Sequence, residues 1–499
     1  MADRWMGTGR DGTRYLDGHA YARDLDLFGR GSLFELLNSA RTEVGEETLA
    51  DWLRAPAPVD EVLARQAAVD ELRPMLDVRE DIAVLAAESE VGRTGPLAAW
   101  TAAAPQKFHH ALRFLFRAFA AITAALAVAV YQDLIGTGWL LAWIVVETAI
   151  AGTWRHQFRR VLHAIETPEH DLALLAAVLE RVERERFTSE KLAALQQTLI
   201  TDGVPPSRRI AQLRTIVSWL DSTHNLFFAP IAYVLLLRPQ LAVAINRWHQ
   251  AYGPAVGAWL RAVGELAALA ALATYAYEHP RDPFPAITPG VPRFEADSLA
   301  HPLLAEAIVV RNSVSLGGSL SPQVLVVSGS NMSGKSTLLR AVGVNAVLAL
   351  AGAPVRAASL KLSPLAIGAT LRIEDSLQEG HSRFYTEILR IRSIVELAGG
   401  VVPVLFLLDE ILHGTNSYDR RIGAEAIVHA LVARGAIGLV TTHDLALTEL
   451  PATLGPAAAN VHFEDRIEQG KMVFDYTMRP GVVERSNALA LMRAVGLDV

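Results

Sequence analysis

The chain has no cysteine among its 499 residues, which excludes disulfides, thiolate metal sites and a cysteine nucleophile and fits a reducing compartment. Charge is sparse as well. Lys, Arg, Asp and Glu make up 20% of the chain against 51% hydrophobic residues, a balance more apolar than is usual for a soluble enzyme of this size. The formal net charge of -7 supplies no global attraction to nucleic acid, so a DNA contact would have to rest on a local basic patch. The opening residues, MADRWMGTGRDGTRYLDG, contain no apolar core of the kind a secretory signal needs, and none is expected. Internal repeats and long low-complexity tracts are absent from the sequence, and its length accommodates two or three domains.

What is present is concentrated chemistry. The stretch VLVVSGSNMSGKST, from Val324 to Thr337, breaks from an apolar run into Gly329, Ser330, Asn331, Met332, Ser333, Gly334, Lys335, Ser336 and Thr337. The spacing G-x-x-x-x-G-K-S lets the backbone between a strand end and a helix start curl round a polyphosphate, with N–H groups and the positive helix end facing the anion. Lys335 would reach the β- and γ-phosphates and the Ser336 hydroxyl would hold Mg²⁺. The helix-compatible segment that follows, Thr337 to Leu350, supports nucleotide binding over a plain glycine-rich turn.

Two further apolar runs end in polar groups. Val401 to Leu408 leads into Asp409 and Glu410, as a buried parallel strand delivering two carboxylates to its C-terminal edge would. Asp409 would hold Mg²⁺ through a water, and Glu410 would orient and polarise the attacking water. Ile437 to Thr442 ends at His443, placed to contact the γ-phosphate. Strands alternating with helices argue a mostly parallel α/β sheet. Between these runs, Ser382 stands at the start of a helix-compatible segment. From the residues alone it reads as an N-cap, although the free N–H groups beside such a serine also offer an anion site.

The remainder is helical in pattern. Ser32 to Asn38, Glu46 to Arg54 and Val59 to Leu72 carry apolar residues at helical spacing, as do Trp259 to Tyr277 and the charged, amphipathic His170 to Leu199. Asn225 to Leu237 is apolar but short, and suits a core helix better than a membrane span. His279 to Pro292 is proline-rich and reads as a linker. Between Ala118 and Trp154 the only charges are Asp133 and Glu147, with arginines on both flanks. A turn at Asp133 to Gly138 would fold this stretch into two apolar helices with their basic ends on one side. That arrangement favours a membrane hairpin over a buried helix pair, although each half is somewhat short of the ~20 uncharged residues a span needs.

The set Gly329 to Thr337, Gly380 to Phe384 with Glu387, Asp409 to Asp419 and Thr441 to His443 resembles the MutS-type ATPase domain in order and spacing. The Asn331-Met332 pair and the Gly414-Thr415-x-Ser417-Tyr418-Asp419 run are the specific elements. The likeness is strong from about His301 onward, and weaker over Ser32 to Leu72, which looks like that family's helical core. The resemblance implies ATP and Mg²⁺, no other metal, and a head-to-head homodimer through the ATPase domain. Each ATP would lie between one subunit's phosphate loop and the other's Ser382, with Gly414 to Asp419 coupling the two sites. Ser330 and Arg383 depart from the family's common Pro and Thr. Arg383 leaves the detail of the trans contact open.

A multidomain chain is therefore expected: a mainly α-helical core-like domain followed by an α/β P-loop, ABC-like ATPase domain. Residues 1–110 and 161–290 would form the helical core and linker, 111–160 a transmembrane hairpin, and 291–499 the ATPase. Mismatch-reading and connector domains, a nuclease domain and long DNA-clamping helices are not recognised, which likens the chain to short, membrane-associated members of the family. Two functions stay open. One is an ATP-driven dimeric switch acting on DNA. The other is a membrane-anchored mechanochemical ATPase, without a DNA role, at the cytoplasmic side of the cell membrane; without the membrane the location would be cytoplasmic.

Overall fold

The structure, a computed structural model, describes residues 5–87, 95–166, 169–200, 203–372, 383–443, 445–468 and 471–483. It divides into two compact units. One comprises Met1–Ser39, Thr48–Pro74 and Leu269–Val499, the other Ala40–Glu47 and Met75–Ala268.

The first unit carries ten strands among the described residues: β1 (Ala286–Ile287), β2 (Arg293–Leu299), β3 (Asn312–Gly317), β4 (Val324–Ser328), β5 (Ser359–Leu362), β6 (Ala366–Thr370), β7 (Val404–Leu408), β8 (Ile437–Thr442), β9 (Ala458–Glu468) and β10 (Lys471–Pro480). They form a six-stranded sheet ordered β10-β9-β4-β8-β7-β6 and a four-stranded sheet ordered β1-β5-β2-β3. In the larger sheet β9, β4, β8, β7 and β6 run parallel, and β10 returns antiparallel to β9. β4, β7 and β8 are buried along their whole lengths, which explains their unbroken apolar sequences, since a strand covered on both faces has no polar side.

Strand alternation sorts the two faces. Val404, Phe406 and Leu408 join Ile391, Ile394, Ala424 and Val428 in one core cluster, placing the helices Arg383–Leu397 and Ser417–Ala433 on that side. Leu407 points the other way, towards the helix Lys335–Ala351, where a Cβ on Gly343 would lie 2.8 Å from Leu407 and 2.5 Å from Leu25. The residues before the first long helix thus pack into the α/β unit rather than into a separate helical domain. Asp24 is fully buried. Its Oδ1 accepts from the backbone N–H groups of Leu371 and Arg372 at 2.7 Å each, and its Oδ2 pairs with Arg390.

The proline-rich stretch after Glu278 is built into the same unit instead of linking freely. Proline lacks an N–H but keeps its carbonyl. Pro283 O accepts from Val355 N at 3.0 Å and Pro285 O from Gln66 at 3.1 Å, while Ile287 pairs with Leu362.

The second unit is helical. Ala-rich helices Leu112–Tyr131 and Thr137–Gly152 form a hairpin, turning through Asp133 in the left-handed region at φ 56°. Its buried face mixes Phe116 and Phe119 with two polar groups. Glu147 and Thr123 are buried, and Thr123 Oγ1 donates to Glu147 Oε2 at 2.7 Å while accepting from Trp143 Nε1 at 2.9 Å. Val128, Trp139, Leu141 and Val145 are exposed. Only 17% of the most apolar window of Leu112–Tyr131 is buried, against 72% for the other described helix long and apolar enough to cross a membrane, Leu237–Glu278.

That 42-residue helix begins well before the expected Trp259. Pro239 falls in its first turn, where no intrahelical N–H bond is lost, and Pro254 removes a single bond from a long ladder. The charged segment after His170 is two helices, Glu169–Glu183 and Glu190–Leu199. The apolar Asn225 to Leu237 segment, expected in the core, holds only the short helix Ala229–Val234 and leaves Leu226 and Phe227 more than four-fifths exposed.

Candidate active site

The C-terminal ends of β4, β8 and β7 lie side by side, with Ser328 opposite Thr442 and Leu408 opposite Val440. Parallel strands deliver functional loops at that edge. After β4 the backbone turns through Gly329 at φ 149°, Met332 at φ 68° and Gly334 at φ 109°. A Cβ on Gly329 would meet Ser333 Oγ at 2.8 Å and the Phe463 carbonyl at 3.0 Å, so glycine is required for the close approach of loop and β9. The helix Lys335–Ala351 then starts on Gly334 with no side-chain cap, leaving its first N–H groups to an external acceptor.

Lys335 is buried and folds over the loop. Its Nζ donates to the carbonyls of Gly329 and Ser330 at 2.8 Å each. Burial pulls its pKa below the usual lysine value, opposed by the carboxylates of Glu410 and Asp409. The Ser330 and Ser333 hydroxyls are buried without a hydrogen-bond partner. Orphaned hydroxyls, uncapped helix N–H groups and a buried ammonium form an anion cradle that phosphate oxygens fit. Ser336 follows in the first helical turn, half-buried, and Asn331, Met332 and Thr337 are exposed.

Opposite the loop, Asp409 and Glu410 leave β7. Thr441 on β8 braces both, its hydroxyl donating to Asp409 Oδ1 and accepting from Glu410 N at 2.9 Å. Glu410 and Leu412 hold positive φ values of 50° and 55°, backbone strain of the sort retained where a side chain must be aimed. His443 Nδ1 lies 3.2 Å from Glu410 Oε1. The ring of His413 stands edge-on to His443 with centroids 5.1 Å apart. Glu410, His413 and His443 each offer a ligand atom within 4.8 Å of the others; the Glu410–His443 hydrogen bond and the ring contact account for that grouping.

The loop after Glu410 is firmly held. Glu387, buried in the helix Arg383–Leu397, accepts from Leu412 N at 2.5 Å, and burial raises its pKa. Arg420 donates to the carbonyls of Leu412, His413 and Thr415 at 3.1–3.2 Å. Gly414 packs on Phe384, where a Cβ would meet Phe384 Cβ at 2.8 Å. Asn416 caps the next helix by accepting from Asp419 N at 2.9 Å. Ser382 lies outside the described residues.

A cavity of about 610 Å³ opens beside the phosphate loop, bounded by Lys335, Ser336 and Glu410 at one end and by Ile308, Val310 and Tyr476 among its apolar walls. Tyr476 sits in the bulge of β10, where pairing with β9 slips between Phe474 and Met478. Asn312 bridges the gap, its Nδ2 donating to Tyr476 O at 3.0 Å and its Oδ1 accepting from Met478 N at 2.7 Å. His301, also lining the cavity, is pushed down to about 4 by burial and by Arg340, and so is neutral at physiological pH. These walls were not foreseen, because no local motif marks a bulge or the loop that precedes β3.

Residues 325–498 match the family model MutS domain V. The chain is 35% identical to Endonuclease MutS2 of Thermus thermophilus over 213 residues, 41% of this chain and 26% of that protein. It is 30% identical to DNA mismatch repair protein MSH6 of Arabidopsis thaliana over 220 residues, 42% of this chain and 16% of that protein. Over 521 residues, 96% of this chain and 61% of that protein, it is 27% identical to DNA mismatch repair protein MutS of Thermus aquaticus. The chain thus spans less than two thirds of each of these relatives. The domain V match and these similarities liken the chain to MutS-family proteins, most of all over residues 325–498.

Proposed function

We propose that the protein is an ATPase of the MutS type, in which Mg·ATP binds the cavity beside the phosphate loop and its hydrolysis drives a dimeric switch. The observation that carries this reading is the anion cradle: Lys335 and the unpartnered Ser330 and Ser333 hydroxyls at an uncapped helix start, facing Asp409 and Glu410. Mg²⁺, held through Ser336 and Asp409, would offset the charge of the β- and γ-phosphates. Lys335 would exchange its loop carbonyls for phosphate oxygens. Glu410, oriented by the Thr441 brace and by His443, would accept a hydrogen bond from the attacking water. Ser382 of the partner subunit would close the site over the γ-phosphate, as the resemblance implies.

ATP hydrolysis by the full-length protein, followed by phosphate release with and without DNA, tests the reading. Absence of hydrolysis under both conditions would sink it. Salt-sensitive stimulation by DNA would support a role on DNA. Tyr476 supplies a separate test of the cavity. Because removing an aromatic platform under a base costs about 1–3 kcal/mol, Tyr476→Ala is expected to weaken nucleotide binding by roughly tenfold or more. Its rate at saturating ATP should change little, and unchanged affinity would remove Tyr476 from the base subsite.

A second reading concerns the hairpin, and its exposed apolar face favours it. Thr123 and Glu147 face inward beside Phe116 and Phe119, while valines, leucines and tryptophan face outward, as a lipid-facing surface would. The first helix, 20 residues long, would extend about 30 Å, the thickness of a hydrocarbon core; the second has 16 residues. We propose that the hairpin inserts into a membrane and places the ATPase at its cytoplasmic face. Fractionation should then find the intact protein in the membrane pellet and a variant lacking residues 112–154 in the soluble fraction. An intact protein that stays soluble without detergent would overturn this.

A further inference from the structure

At the foot of the hairpin lies a groove of about 690 Å³, within the size range of a ligand site. Its lining includes Ala151 from the second hairpin helix and Ala232, Tyr233 and Leu236 from in and just after the helix Ala229–Val234. It also includes Arg155 and Arg159, four apart on the helix Arg155–Glu166 and so on one face of it, together with Arg238.

These three arginines are brought together by the groove they line. Among the described residues none of them makes a side-chain hydrogen bond or ion pair, whereas Arg181 in the same unit pairs with both Asp81 and Glu185. Three exposed guanidinium groups beside apolar lining residues suit a ligand with an anionic head and an apolar body. The surroundings say where that ligand comes from. The groove is continuous with the exposed hairpin through Thr148 and Ala151, and the loop leading to its other wall exposes Leu226 and Phe227 by 82% and 87%.

We propose that this groove binds an anionic phospholipid, the headgroup phosphate on Arg155, Arg159 and Arg238 and an acyl chain along Ala151, Tyr233 and Leu236. The inference rests on membrane insertion of the hairpin. It adds to that insertion a lipid-selective contact at the membrane surface, where each basic side chain contributes separately to attraction by anionic lipid.

The test is flotation of the full-length protein with vesicles of phosphatidylcholine alone and of phosphatidylcholine mixed with phosphatidylglycerol. Wild type should prefer the anionic vesicles by tens of times at low salt. R155Q/R159Q/R238Q should bind both as wild type binds phosphatidylcholine, and Arg159→Gln alone should lose part of the preference. The charge-matched R186Q/R214Q/R261Q should keep it, which separates a site from general positive charge. Equal binding of wild type to both vesicles, or loss of preference in the charge-matched variant, overturns the site and leaves hairpin insertion standing. Flotation with neither vesicle overturns both. If inorganic phosphate abolishes the preference at unchanged ionic strength and binds the vesicle-free protein in an Arg159-dependent way, the ligand is a soluble anion and the lipid assignment fails.

Discussion

Lys335→Ala is expected to weaken ATP binding at least a hundredfold and to reduce hydrolysis to background. The lysine is buried, with its ammonium spanning the two loop carbonyls of Gly329 and Ser330, and it is the cation nearest the orphaned serine hydroxyls in sequence. Burial penalises its charge, the Glu410 and Asp409 carboxylates oppose that penalty, and an anion in the loop would offset it further. Truncation leaves the cradle with hydroxyls and backbone N–H groups but no full positive charge. Removing one preorganised charged contact in a water-poor site typically costs about two to three powers of ten. A fluorescent nucleotide titration and a phosphate-release assay measure the two effects separately. Binding within twofold of wild type would remove Lys335 from the phosphate site.

Glu410→Gln should behave differently. The amide is isosteric, the backbone bond from Glu410 N to Thr441 is untouched, and an amide oxygen can still face His443. Nucleotide affinity should therefore stay within about twofold, while the rate falls by roughly two to three powers of ten through loss of the basic oxygen. If the subunits close over ATP, this variant should accumulate as an ATP-dependent dimer in sedimentation velocity. Hydrolysis at the wild-type rate would move the water-activating role to another group, and His413, edge-on to His443, would be the next to test.

The site was legible where its chemistry is local. The spacing from Gly329 to Ser336 and the step from an apolar strand into Asp409 and Glu410 each occupy a few consecutive residues, so the phosphate cradle and the opposing carboxylates could be read together. The apolar half of the cavity could not. Tyr476 is displayed by a slipped register and held by Asn312, 164 residues away in sequence, and neither residue carries a signal of its own. Helices were legible by period, but their limits were not: the helix expected from Trp259 begins at Leu237, with Pro239 in its first turn. The stretch from His279 to Pro292 looked like a linker because proline breaks ladders, yet its carbonyls are acceptors in the packed unit. The outward-facing hairpin shows the limit of composition most clearly. An apolar pair reads alike whether buried or exposed, and only the inward turn of Glu147 separates the two.

Asp24 has a consequence for how the chain is made. Its carboxylate accepts from N–H groups 347 and 348 residues later, and the strand that receives the phosphate loop pairs with β9, later still. On a ribosome the first segment of the α/β unit must wait, unpaired, while the whole helical unit emerges. The helical unit, drawn from residues up to Ala268, has its sequence complete first. Closure of the candidate site is therefore a late event in biogenesis, and a slow one, since contacts of such long separation carry the greatest loop-closure cost. A fragment beginning at 291 would be made without Asp24 and Leu25, with an open seam along β6 and the helix behind the phosphate loop.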